Sequence, residues 1–192
     1  MPITCCFSCF GFLGLVLLIP CVPISIGLLA SNRKRAALRI LCIPGGMIAL
    51  SILLPLVLFI LAERHNRIMS AQPDRLFEMT FAFWPPPQTE MLEGYYELGM
   101  DYEERALQFR APSDVIHKIR GRRFVVSDRE TFVTEGNHLP EQVQSWFLPS
   151  VAQADCFYIA EPFDDSFSTF NRAILCYNEK TGIACFHWVG LD

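Results

Sequence analysis

The stretch "RAILCYNEKTGIACFHWV", residues 172–189, decides how the fold is read. Two short apolar runs, "RAILCY" and "IACFHWV", flank "NEKTG", whose Asn and Gly suit a turn, so the segment predicts an antiparallel hairpin. If Asn178 faces Ile183, then Tyr177 faces Ala184 and Cys176 faces Cys185. Cross-strand Cβ atoms lie about 4.5–5.5 Å apart, against the roughly 3.8 Å a disulfide prefers. A Cys176–Cys185 disulfide is therefore expected only from a close, non-hydrogen-bonded pair in an oxidising compartment, with Cys156 left unpaired. A one-residue bulge at Gly182 would shift the register and remove the facing pair.

Upstream of the hairpin, "LEGYYEL" and "ERALQFRA" predict two strands joined through "GMDYE", the second alternating Leu107 and Phe109 with Gln108 and Arg110. "PSDVIHKIRG" predicts a helix: Ser113 suits its N-cap, Val115, Ile116 and Ile119 form an apolar face, and Gly121 suits its end. "RFVVS" and "CFYIAEPF" predict further strands, and "PEQVQSWF" a short helix with Pro140 near its start. Mostly strands with about two helices point to an α+β domain over 91–192, an antiparallel sheet packed by helices on one face. Residues 63–90, ending in "FAFWPPPQ", read as a stalk stiffened by polyproline.

The first 62 residues have a different character. From Phe7 to Ala30, and again from Ile40 to Ala62, no Asp, Glu, Lys, Arg or His occurs, over 24 and 23 residues. At about 1.5 Å of rise per residue, each run exceeds the roughly 30 Å of bilayer hydrocarbon, so a transmembrane hairpin over 1–62 is expected, with spans at about 7–30 and 40–62. "MPITCCFSCF" lacks the basic start of a signal peptide, and Pro at position 2 excludes a myristoylation signal. Pro20, Pro23, Pro44 and Pro55 kink the spans, and Cys5, Cys6, Cys9, Cys21 and Cys42 read as small packing residues.

Loop 31–39 carries Arg33, Lys34, Arg35 and Arg39 and no acid, against Arg64, Arg67 and Arg75 beyond the second span. By the positive-inside rule the loop is expected in the cytoplasm and the C-terminal domain outside it. Residues 63–192 hold 12 basic against 20 acidic side chains, a net of −8, and the first 62 residues carry +4. Such an acidic domain is a poor ligand for nucleic acid or an anionic lipid surface.

The search for chemistry turns up scattered groups. Cys156 with His187 or His138 is a conceivable nucleophile and base, but Cys156 opens an apolar strand where an inert buried thiol is expected. His65 sits at the membrane exit and His117 on the first helix of the domain, without metal-ligand spacing. The cluster Glu97, Asp101, Glu103 and Glu104, and the run Asp164, Asp165 and Ser166, lack calcium-loop spacing and read as solvated turns. Lys118, Arg120, Arg122 and Arg123 complement a helix C-terminus. No phosphate loop, nucleophile elbow or dinucleotide fingerprint occurs, so no catalytic, cofactor or metal residues are assigned and no cofactor is expected.

From about Leu92 onward, "DYEERALQFRAPSDVIHKI", "SWFLPS" and the terminal hairpin with "NEKTG" resemble extracytoplasmic domains of uncharacterised bacterial membrane and lipoprotein-like proteins. The resemblance implies a bacterial, membrane-tethered setting and no catalytic residues. The leading expectation is an integral membrane protein with an extracytoplasmic binding or accessory domain, its partners the lipid bilayer and an envelope or membrane protein. The rivals are a membrane-tethered hydrolase using Cys156 or a His with acidic residues, and a small subunit of a larger membrane complex.

Overall fold

The computed structural model describes residues 16, 19, 21–26, 30–31, 33–99, 101–121, 124–135, 139–165 and 170–191. The chain divides into two units, Met1–Glu63 and Arg64–Asp192.

The second unit has six strands: β1 (Glu90–Leu98), β2 (Tyr102–Arg110), β3 (Val125–Ser127), β4 (Cys156–Ala160), β5 (Phe170–Tyr177) and β6 (Ile183–Leu191). They form one antiparallel sheet in the order β1-β2-β6-β5-β4-β3, which places β2, β6 and β5 at its centre. The hairpin of β5 and β6 has the register read from sequence, with Tyr177 opposite Ala184 and Cys176 opposite Cys185. Its turn is fixed by Asn178, whose Oδ1 accepts the amides of Lys180 and Thr181 at 3.0 and 2.9 Å. Gly182 closes it at φ 70°. This left-handed conformation favours glycine, and a Cβ there would sit 3.2 Å from the Ala111 carbonyl oxygen.

The domain has more helix than the expected two. After α1 (Lys34–Ser70) come α2 (Pro73–Phe81), α3 (Ser113–Arg120), α4 (Arg129–Glu135) and α5 (Glu141–Gln153). They cover both faces of the sheet rather than one. Val143, Phe147 and Val151 of α5 and Phe132 of α4 pack on Ala106, Phe157, Ile174, Cys176 and Cys185. On the other face Leu76, Phe77 and Phe81 of α2 and Val115, Ile116 and Ile119 of α3 pack on Leu107, Phe109, Leu175, Phe186 and Trp188. The physical reason is that the central strands are apolar on both sides, and a sheet of that kind needs two covering layers.

The segment read as a stalk over 63–90 supplies part of this core. Met69, Leu76, Phe77 and Phe81 are buried, and Ser70 Oγ accepts the Tyr96 amide at 2.9 Å, tying the end of α1 to β1. Pro73 opens α2 at its first turn, where a missing N–H costs nothing, rather than breaking the chain into a linker.

In the first unit, residues 21–26 are helical; most of the expected first span lies outside the described residues. The run expected as a second span, 40–62, lies within α1, which already begins at Lys34, so residues 34–39 of the expected loop are helical. Within α1, Leu38–Ser70 is long and apolar enough to cross a membrane by length and composition, and its most apolar 18-residue window is not buried at all.

Candidate functional site

The chemistry-bearing side chains converge on β2 and its neighbours. Successive residues of a strand point to opposite faces, so "EER" at 103–105 sends Glu104 to one side and Glu103 and Arg105 to the other. Neither glutamate lies in a solvated turn, as the sequence reading had it. Both are buried within β2, and Asp101 is exposed beside it.

On the α5 face, Glu104 Oε1 lies 2.6 Å from His187 Nε2, with side-chain exposures of 10% and 7%. Residue 106, not 104, stands opposite His187, so the pair is diagonal across the β2–β6 ladder. Glu97 faces Glu104 directly from β1 and accepts hydrogen bonds from the Tyr95 and Tyr102 hydroxyls. Burial first, and then the bond to Glu97, push the Tyr95 hydroxyl well above the usual phenol range. Tyr102 is pushed up to about 12, chiefly by its bond to Glu97 and then by burial. The Phe147 ring stands edge-on to His187, with centroids 6.2 Å apart. An imidazole against a carboxylate can hold and shift a proton between Oε1 and Nε2, but here both groups are enclosed by the sheet and α5.

On the opposite face, Arg105 Nε donates to Glu103 Oε1 at 2.7 Å, and its guanidinium lies 4.4 Å from the Trp188 ring centroid. Its Nη2 is 3.8 Å from Asp164 Oδ2. Trp188 Nε1 donates to Asn171 Oδ1 at 2.6 Å, and that oxygen also takes the Phe163 and Asp164 amides at 3.2 and 2.9 Å. Tyr96 is pushed up to about 12, by burial first and then by the charge of Glu103. Asp164 thus belongs to a structural network; Ser166 lies outside the described residues.

Cys156 and His187 do not meet. Cys156 stands opposite Tyr177, which stands opposite Ala184, so Cys156 shares the face of Trp188 while His187 points to the other. Its neighbours are Glu179, whose Oε1 lies 3.5 Å from Sγ, and Tyr158, pushed up to about 12 by burial and by its hydrogen bond to Cys156. His138, Arg122 and Arg123 lie outside the described residues. His65 packs edge-on to Tyr96. Lys118 and Arg120 stack over Phe83 and Tyr158 at 3.9 and 4.4 Å. Among the described residues no group of three or more His, Cys, Asp or Glu is placed to hold a metal ion.

Cys176 and Cys185 are free thiols, both buried. Asn178 N–H donates to the Ile183 carbonyl at 2.9 Å. Alternation along the ladder then makes 177/184 a non-hydrogen-bonded site and 176/185 a hydrogen-bonded one, the wider of the two. The hydrogen bond between the two thiols, then burial, hold Cys176 well above the ordinary thiol range. Burial opposes ionisation of Cys185 too, but hydrogen bonds from Cys176, Ser150 and Gln108 outweigh it and lower that thiol.

The Glu104–His187 and Glu103–Arg105 pairs escaped the sequence reading. Their signal was an "EER" run set inside an alternating apolar strand, with a histidine on a strand predicted nearby. No family model, curated protein or solved structure matches the chain.

Proposed function

We propose that this chain is an integral membrane protein of a bacterial envelope, and that residues 64–192 form an extracytoplasmic domain that acts by binding a partner. The observation that carries the reading is α1. Its exposed apolar stretch from Leu38 meets the length a bilayer span requires, and its last residues, including Met69, are core of the folded domain. A second span over about 7–30 completes a helical hairpin.

The orientation rests on charge: Arg33, Lys34, Arg35 and Arg39, just before and within the start of α1, hold that end of the helix in the cytoplasm. The net −8 of residues 63–192 suits a protein partner rather than nucleic acid or anionic lipid. The commitment of Glu103, Glu104, Arg105 and His187 to one another supports binding over hydrolysis, since these groups serve the packing of the sheet. A hydrolase built on Cys156 and His187 has its two members on opposite faces.

Fractionation of cells expressing the chain tests the anchor. Retention in the membrane pellet after an alkaline carbonate wash is the expected result, and release into the supernatant would refute it.

A further inference from the structure

We propose that the free edge of β3 is a docking strand, which pairs with an extended, acidic segment of a partner protein. The inference rests on the partner-binding reading above, for which it supplies the surface.

The two edges of the sheet are built differently. At the β1 edge, alternation points the backbone groups of Tyr96 and Leu98 away from β2, and side chains of α1 close them. The Tyr96 amide donates to Ser70 Oγ at 2.9 Å, and the Leu98 amide to Asn66 Oδ1 at 3.0 Å. Farther along the same edge, a Cβ on Gly94 would meet the Ser70 carbonyl oxygen at 3.2 Å, so the end of α1 lies hard against the strand.

By contrast, β3 has β4 on one side and, among the described residues, no strand on the other. The Asn178 amide donates to the Ile183 carbonyl, which sets the phase of the ladders outward through β5 and β4. Carried along the register, that phase has Val125 and Ser127 bond to β4, while the N–H and C=O of Val126 face away from it. Val125 and Val126 are 65% and 72% exposed, and the strand carries no charge or proline to blunt its edge.

Charge selects the occupant. Val126 stands opposite Tyr158, and the Arg120 guanidinium stacks over that ring, 4.4 Å from its centroid. The Arg120 carbonyl accepts the Phe124 amide at 3.3 Å, which holds this cation at the entry to β3. Among the described residues its buried Nε has no hydrogen-bond partner, a donor left over in the folded domain. From Val115 to Ser127 the sequence has no acid, although residues 63–192 carry −8 overall. A second copy pairing its own β3 here would bring a second Arg120 to the same face, like charge toward like. An acidic segment instead offers that guanidinium a carboxylate. The added strand hydrogen-bonds to Val126 through its main chain, and its side chains alternate between the two faces. Those on the Arg120 face are acidic, and those beside Val125 are β-branched.

The test pans displayed random peptides against the full chain in mild detergent and titrates enriched peptides by fluorescence anisotropy. Peptides alternating acidic and β-branched residues are expected. Val126→Pro removes the outward amide and no ladder bond, and is expected to weaken them about tenfold or more. Arg120→Gln is expected to weaken the acidic peptides and to leave their amide-substituted counterparts unchanged. N-methylation of the peptide is expected to abolish binding at the residue opposite Val126 and not at its two neighbours, a pattern independent of how any variant folds. Equal affinity for the Val126→Pro chain, uniform sensitivity to N-methylation, or no enrichment over beads without chain overturns the edge. Enriched peptides without acids overturn the charge argument. A dimer of the unaltered chain that Val126→Pro dissociates gives the edge to a second copy and overturns the acidic partner. Peptide binding at another surface refutes the edge and leaves the partner-binding reading intact, and the anchor is decided separately by the carbonate wash.

Discussion

Glu104 and His187 form a buried, close-packed pair, and removing one member strands the other without water. Glu104→Ala is expected to cost roughly 3–5 kcal/mol, whereas Glu104→Leu with His187→Phe recovers most of it, because an apolar pair of similar bulk leaves no unpaired charge. Chemical denaturation of both variants followed by near-ultraviolet circular dichroism decides this. Tyr96, Tyr102 and Tyr158 make a second expectation. Each is pushed up to about 12 from an ordinary value of 10.0, so folding keeps these hydroxyls protonated where an unfolded tyrosine ionises. Their stabilising contribution is fully present below pH 10 and is lost as pH rises towards about 12. Tyrosinate absorbance of the folded chain is expected to lag that of the denatured chain across this window, and coincident titrations would refute the burial argument.

Among the elements, the turn of the last hairpin and the cap of α4 have the clearest local causes. Gly182→Ala adds a Cβ at a left-handed residue and 3.2 Å from the Ala111 oxygen. A loss of about 1–2 kcal/mol is expected from the backbone conformation alone, read as a lowered melting temperature. Asp128 caps α4: its Oδ1 accepts the Thr131 amide at 2.8 Å, and its Oδ2 accepts the Thr131 hydroxyl at 2.9 Å. The amide bond first, then the hydroxyl, lower its carboxyl below the ordinary range. Asp128→Ala is expected to speed amide exchange over 131–134, and Asp128→Asn, which keeps an acceptor, to leave it nearly unchanged. The hairpin register was legible because Asn178 and Gly182 act locally on two short runs. Helix α2 was not, because it reads as polar sequence with a proline at its head. Its buried face, Leu76, Phe77, Thr80 and Phe81, has helical spacing, but that face gains meaning only against Phe109 and Phe186.

At the scale of the whole chain, the boundary at Glu63/Arg64 separates an apolar unit from an acidic one. A chain beginning at Arg64 is expected to fold, since it keeps Met69, Leu76, Phe77 and Phe81; one beginning at Glu90 loses all four and is expected to expose the sheet and aggregate. Circular dichroism with a thermal melt separates the two outcomes. The pairs in β2 stayed hidden in the sequence for a related reason: acidic residues beside a turn signal look solvated until the facing strand is placed. The uncharged run over 40–62 needed no partner to be read as a long apolar helix, because length and the absence of charge are properties of the segment itself. The central claim is that α1 anchors a domain lying outside the cytoplasm. A reporter that matures only beyond the cytoplasmic membrane, fused after Asp192, tests it most directly. An active reporter is the result this account predicts, and an inactive one beside an active cytoplasmic reporter at the same position would contradict it.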